Sequence, residues 1–123
     1  MPISDAEAQV MRVLWERHPR GADEVVAALA PSTDWAEPTV KTLLNRLLNK
    51  GAIEATREGR RYLYSPVLAR EAWVAQQSEG LLQRLFDGRV APLVAHFSQR
   101  GRLSEADVVE LRRLLEEIDD DAS

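Results

Sequence analysis

A chain of 123 residues, 45% hydrophobic and 29% charged, has room for one compact domain or a small domain with an appended helical segment, and is neither disordered nor fibrous in composition. It contains no cysteine, which excludes disulfide frameworks, thiolate metal sites, iron–sulfur clusters and cysteine nucleophiles, and with no signal-like N-terminus and no apolar run longer than Val25–Ala30 it is expected in the cytoplasm without membrane insertion. A formal net charge of −4 argues at face value against a nucleic-acid partner, because neutralising phosphates needs a local excess of Lys and Arg.

Ser4-Asp5-Ala6-Glu7 has the form of a capping box, in which hydroxyl and carboxylate each satisfy an orphan N–H of a first helical turn. Val10, Val13 and Leu14 follow at helical spacing, so a first helix is predicted from about Asp5 to Arg17, ended by Pro19-Arg20-Gly21. Asp23 and Glu24 suit the positive start of a second, short helix whose stripe Ala22, Val25, Val26 and Leu29 stops before Pro31. A third helix is predicted from about Pro38 to Lys50, with Gly51 as its left-handed cap.

At about 100° per residue, Val40, Leu43, Leu44, Leu47 and Leu48 share one side of this third helix. Lys41, Thr42, Asn45 and Asn49 share the other, with Arg46 at its edge and no acidic residue among them. Beyond Gly51 the pattern alternates: Ile53–Arg57 and Arg61–Ser65 read as a β-hairpin joined at Glu58-Gly59-Arg60 and closed by Pro66. Three helices and a hairpin are the element order of a winged helix-turn-helix. Divided along the chain, the net charge is +1 over Met1–Arg70 and −5 over Glu71–Ser123, and the window Lys41–Arg70 alone carries +5. Tyr62 and Tyr64 are expected to pack the hairpin onto the helices, and Trp15, Trp35 and Trp73 to be core or interface anchors.

After Pro66 the sequence is helical only. Arg70–Asp87 carries Trp73, Val74, Leu81, Leu82, Leu85 and Phe86, and Ala91–Ser98 reads as a short apolar helix with Pro92 near its start. Ser104-Glu105-Ala106-Asp107 opens a last helix that presents Val108, Leu111, Leu115 and Ile118, and Asp119–Asp121 read as a solvated tail. About fifty residues in three helices are too few to enclose a core, so their stripes are expected to bury against a second copy of the chain. The reading is a mainly α protein with a small β-hairpin: a winged helix-turn-helix domain over residues 1–70 and a helical dimerisation domain over 71–123.

Ile3-Ser4-Asp5-Ala6-Glu7 with Val10-Met11 and Leu14-Trp15, Thr39-Val40-Lys41-Thr42 with Arg46-Leu47 and Lys50-Gly51, and Arg61-Tyr62-Leu63-Tyr64-Ser65-Pro66 occur in an order and spacing that resembles the BlaI/MecI/CopY family of bacterial penicillinase-repressor-like regulators. The resemblance implies a homodimeric winged-helix repressor on a palindromic DNA operator, with the third helix in the major groove and the C-terminal helices pairing the subunits. Copper-responsive members carry paired C-terminal cysteines, which this chain lacks. β-Lactam-responsive members are cleaved at an Asn-Phe bond through a membrane-anchored metalloprotease sensor pathway; the matching dipeptide here is His96-Phe97, the candidate proteolytic site.

On this reading Lys41 and Arg46 suit phosphates or guanine edges, Asn45 suits adenine, and Thr42 suits a thymine methyl or a phosphate. Thr39, nearer the helix start, suits a phosphate or its own backbone, and Arg60 and Arg61 at the hairpin tip suit phosphates. Trp73, Leu81, Leu85, Leu111, Leu115 and Ile118 are the candidate dimer-interface residues. His18 is expected to serve the C-terminal end of the first helix, and His96 to lie buried or at an interface. Two histidines far apart, no cysteine and no paired-carboxylate motif leave no catalytic site, so no enzymatic activity, metal or cofactor is expected. The alternative is a winged-helix module that binds protein and not DNA, for which the acid-free face of the third helix would have no use.

Overall fold

Ser4 starts the first helix by the reciprocal contacts its sequence implies: Glu7 N–H donates to Ser4 Oγ at 3.1 Å, and Ser4 N–H donates to the Glu7 carboxylate at 2.9 Å. The computed structural model describes residues 2–122. In chain order it contains α1 (Asp5–Glu16), α2 (Ala22–Leu29), α3 (Glu37–Asn49), β1 (Ile53–Glu58), β2 (Arg61–Pro66), α4 (Arg70–Phe86), α5 (Val90–Gln99) and α6 (Glu105–Ala122). It is a mainly helical fold with one two-stranded antiparallel sheet, a winged helix-turn-helix in its N-terminal part.

The core is built from the apolar stripes of the first three helices. Val10, Met11 and Leu14 of α1, Val25 and Leu29 of α2, and Val40, Leu43, Leu44 and Leu47 of α3 are buried together with Ala52 and Ile53. α3 stops at Gly51, whose φ of +75° no residue with a Cβ adopts cheaply. Gly51 N–H donates to Leu48 O and Ala52 N–H to Leu47 O, both at 3.0 Å, the paired bonds of a Schellman cap. The chain leaves this cap directly into β1. His18 Nδ1 lies 2.8 Å from Leu14 O and so serves the end of α1 as expected.

β1 and β2 pair from Ile53↔Pro66 to Glu58↔Arg61, which leaves a two-residue turn of Gly59 and Arg60. β1 thus runs one residue closer to the tip than alternation alone suggests, while β2 starts at Arg61 as expected. Only the first turn residue, Gly59, has a positive φ (+63°), the pattern of a type II′ turn. At its base the hairpin gains a third strand reduced to one residue: Arg20 N–H donates to Tyr64 O (3.0 Å) and Tyr64 N–H to Arg20 O (2.8 Å). Tyr64 packs on the core, whereas Tyr62 is 51% exposed near the tip with Arg57 over its ring, so of the two tyrosines expected to pack only one does. The core ends short of the outer half of the wing.

The described chain divides into two compact units within α4, between Ala75 and Gln76. Trp73 belongs to the first unit: its ring meets that of Trp15 at a tilt of 44° with centroids 5.5 Å apart, with Arg12 above it, while Trp15 Nε1 donates to Leu68 O at 2.8 Å. The ring covers the flank of α1 and is half-buried without any second chain. In the second unit, Ser104 and Asp107 close the expected capping box at 3.1 and 3.0 Å. With no Gly or Pro after it, α6 continues through Asp119–Asp121, which are helical and not a loose tail. Among the described residues no side chain beyond Ile53 is buried.

Glu7 is the one buried charged residue among those described, and Lys50 Nζ, after the end of α3, reaches its Oε1 at 2.6 Å and Pro2 O at 2.9 Å. Burial pushes the Glu7 carboxyl up, but the bonds from Lys50 and Ser4 and the Lys50 charge outweigh it and hold the group below the usual carboxylate range. Its contribution to stability is therefore present at neutral pH and lost as pH falls through that lowered value. Lys50→Met should leave the carboxylate buried without its partner and cost about 2 kcal/mol at pH 7 in urea denaturation. The deficit relative to wild type should shrink as the solution is acidified, because Glu7, left with burial and without Lys50, takes up a proton in the variant first.

Candidate nucleic-acid interface

Packing of one side of α3 into the core turns Thr39, Lys41, Thr42, Asn45 and Arg46 outward, and all five are exposed. The helix begins at Glu37 and not Pro38, because Ala36 is its N-cap and Pro38, which has no N–H to donate, fits equally at the second position. That one extra residue changes the face. Glu37 lies four residues before Lys41 and pairs with its Nζ at 3.1 Å, so the outer surface, acid-free when counted from Pro38, has a carboxylate at its N-terminal end. Thr42 Oγ1 donates to Pro38 O at 3.0 Å, which engages its proton within the helix.

The wing stands beside this helix. Lys41 of α3, Arg60, Arg61 and Tyr62 of the hairpin, and Gly21 and Asp23 at the start of α2 line one cavity of about 380 Å³. Thr42, Asn45 and Arg46 lie farther along α3, outside that cavity. Arg46 and Arg60 make no ion pair among the described residues, and both are exposed.

Two other cations of the basic window are committed within the fold. Lys50 is held by Glu7, and Arg61, expected beside Arg60 as a phosphate ligand, turns onto α2 instead: its Nη2 lies 2.5 Å from Glu24 Oε1 and 3.5 Å from Asp23 Oδ1. Glu24 also accepts from Gly21 N–H at 3.1 Å, and these two contacts, the backbone bond first and Arg61 second, lower its pKa. Sequence reading assigns Asp23 and Glu24 only to a helix start. Glu24 three residues after Gly21 is a legible cap, but its second partner lies 37 residues away, where no local signal reaches.

Of the six residues expected at a dimer interface, Leu81, Leu85, Leu115 and Ile118 are exposed in the second unit and Leu111 is half-buried, while Trp73 lies in the first unit against Trp15. His96 and Phe97 sit within α5, both exposed, with the His96 ring 5.3 Å from Phe97 and 6.0 Å from Phe86. His96 is thus a surface residue of the single chain. Among the described residues no three His, Asp or Glu side chains come together as a metal site.

Residues 3–117 match the sequence profile described as penicillinase repressor. The chain belongs to the penicillinase repressor family. It is 34% identical over 115 residues to the penicillinase repressor of Bacillus licheniformis, covering 94% of this chain and 90% of that protein. To the methicillin resistance regulatory protein MecI of Staphylococcus aureus it is 26% identical over 113 residues, 92% of each chain. Among solved structures it is similar to the Bacillus licheniformis BlaI monomeric form in complex with the blaP half-operator, with a TM-score of 0.52 and 36% identity over 58% of this chain and 88% of that one. The family identifies the chain as a DNA-binding transcriptional repressor and not an enzyme.

Within this family member, Glu37 sets a carboxylate against the cation best placed between helix and wing. Glu37→Gln should tighten DNA binding and steepen the dependence of log K on log salt by up to about one unit, because Lys41 is released from its pair. An unchanged slope in anisotropy titrations would show that Lys41 stays away from phosphate.

Proposed function

We propose that the chain acts in the cytoplasm as a homodimer on a palindromic operator, with α3 of each subunit in a major groove and the wing against the flanking backbone. The observation that carries this reading is the polar outer face of α3 standing beside Arg60 of the hairpin, on the side opposite the buried leucines. An adaptor that bound only protein would not need it. In this arrangement Asn45 reads an adenine edge, Arg46 a guanine edge or a phosphate, and the Thr42 methyl meets a thymine methyl. Thr39, Lys41 and Arg60 hold phosphates. Two such helices related by a twofold axis read half-sites about one helical turn apart.

The dimer reading rests on the second unit. Leu85 and Ile118 are 67% and 62% exposed, Leu81 and Leu115 are exposed with them, and α5 and α6 scarcely pack on each other. A segment so short and so uncovered is stabilised economically by a second copy of itself. A protease sensor pathway acting on this family member would meet the His96–Phe97 bond inside the hydrogen-bonded turns of α5, so that helix has to open before cleavage. A truncated chain in β-lactam-treated cells would support that route, and derepression with an intact chain would exclude it.

Lys41→Ala and Arg46→Ala should each weaken operator binding and flatten its salt dependence by about one unit for every phosphate left without its cation. Unchanged slopes for both would overturn the assignment of this face. Light scattering of the wild-type chain at micromolar concentration should give close to twice the 13.8 kDa chain mass, and Leu85→Asp with Ile118→Asp should give the single mass. A monomeric wild type would refute the dimer.

A further inference from the structure

We propose that Arg61 is a positioning residue that latches the wing to the start of α2 and so sets where Arg60 meets the DNA backbone; this rests on the wing-and-helix reading above. Two polar links fasten the hairpin to the helical body, besides the packing of Ile53 and Tyr64 on the core. One is the backbone bridge between Arg20 and Tyr64 at its base. The other is the Arg61 guanidinium, three residues nearer the tip, on Glu24 and Asp23. The packing and the bridge lie toward the base and would leave the outer half of the two-stranded ribbon free to swing, since strands without a core beneath them are marginal. Two tethers about 10 Å apart along β2 fix its direction.

The residues around the latch are consistent with this role. Glu24 is itself held by Gly21 N–H, so the carboxylate that receives Arg61 has a second bond, independent of the arginine, to orient it. Gly21 has an ordinary extended backbone at φ −79° and ψ 165°, so its lack of a side chain is not a matter of conformation. It is a matter of space: a Cβ there would stand 2.3 Å from Arg61 Nη2 and 2.7 Å from Asp23 Oδ1. Directly across the two-residue turn Arg61 pairs with Glu58, and its neighbour Arg60 is the turn residue left without an ion pair among the described residues. Adjacent arginines thus have different duties, one inward to α2 and one outward. Because the Arg61 charge is already neutralised by two carboxylates, it releases few DNA counterions.

The test uses the full chain in operator titrations between 50 and 200 mM salt, with thermal melts of every variant. Arg61→Ala should weaken operator binding by about tenfold while the salt slope stays within about 0.3 of wild type. Because the pair is exposed, the melting temperature should move by about 3 °C or less. Arg61→Lys, which keeps a cation within reach of Glu24, should recover affinity to within about threefold. Gly21→Ala should weaken binding comparably in the wild-type background and have little effect on binding in the Arg61→Ala background, where its Cβ displaces no guanidinium. Arg60→Ala is the comparator and should flatten the slope by about one unit.

A slope lowered by about one unit in Arg61→Ala would overturn the proposal and make Arg61 a phosphate ligand. Strict additivity of Gly21→Ala and Arg61→Ala, or full affinity in Arg61→Ala alongside a flattened Arg60→Ala slope, would overturn the latch alone. An unchanged slope in Arg60→Ala would remove the wing from the DNA and the latch's function with it.

Discussion

Burial of Val40, Leu43, Leu44 and Leu47 is the constraint on which the rest depends. An α-helix that commits those positions to a core has no freedom in what it shows outside. Thr39, Lys41, Thr42, Asn45 and Arg46 project together because four apolar neighbours are held by α1 and α2, and a slip of α3 by one residue would rotate the whole set by about 100°. The core of the N-terminal unit is thus the alignment device for its outer surface. The Schellman cap at Gly51 extends that alignment into the hairpin, since Ala52 both closes the cap and accepts the Val67 and Leu68 N–H groups at the far end of β2.

Charge is distributed by the same logic. A net −4 for the whole chain and +5 for the window Lys41–Arg70 describe the same molecule, yet neither total says which cations face solvent unopposed. Lys50 sits on the buried Glu7, Arg61 sits on Glu24 and Asp23, and Lys41 shares its charge with Glu37. Arg46 and Arg60 remain as the exposed basic residues of helix and turn without an ion pair among those described. A basic surface of this kind is shaped as much by where carboxylates neutralise it as by where arginines are placed.

What was legible in the sequence was local. The capping boxes at Ser4 and Ser104, the Gly51 stop and the helical stripes all act within one turn or one helix, and each is found where its pattern predicts. What was not legible joins distant positions: Lys50 to Glu7 across 43 residues, Arg61 to Glu24 across 37, and Trp73 to Trp15 by a tilted ring contact. The single-residue bridge at Arg20 leaves no alternation to detect, because one residue has no period. Tyr62 and Tyr64 share one face of β2 by alternation, and only the extent of the core beneath them separates their fates.

The placement of the tryptophans gives the molecule a built-in optical division. Trp15, Trp35 and Trp73 are all three of the indoles in the chain, and every one lies in the unit that ends at Ala75. Indole fluorescence therefore reports from the winged unit, whereas far-ultraviolet ellipticity sums the helices of both. Unfolding of the two halves can be followed separately in one unlabelled sample, and a gap between the two transitions would measure how far the halves melt independently.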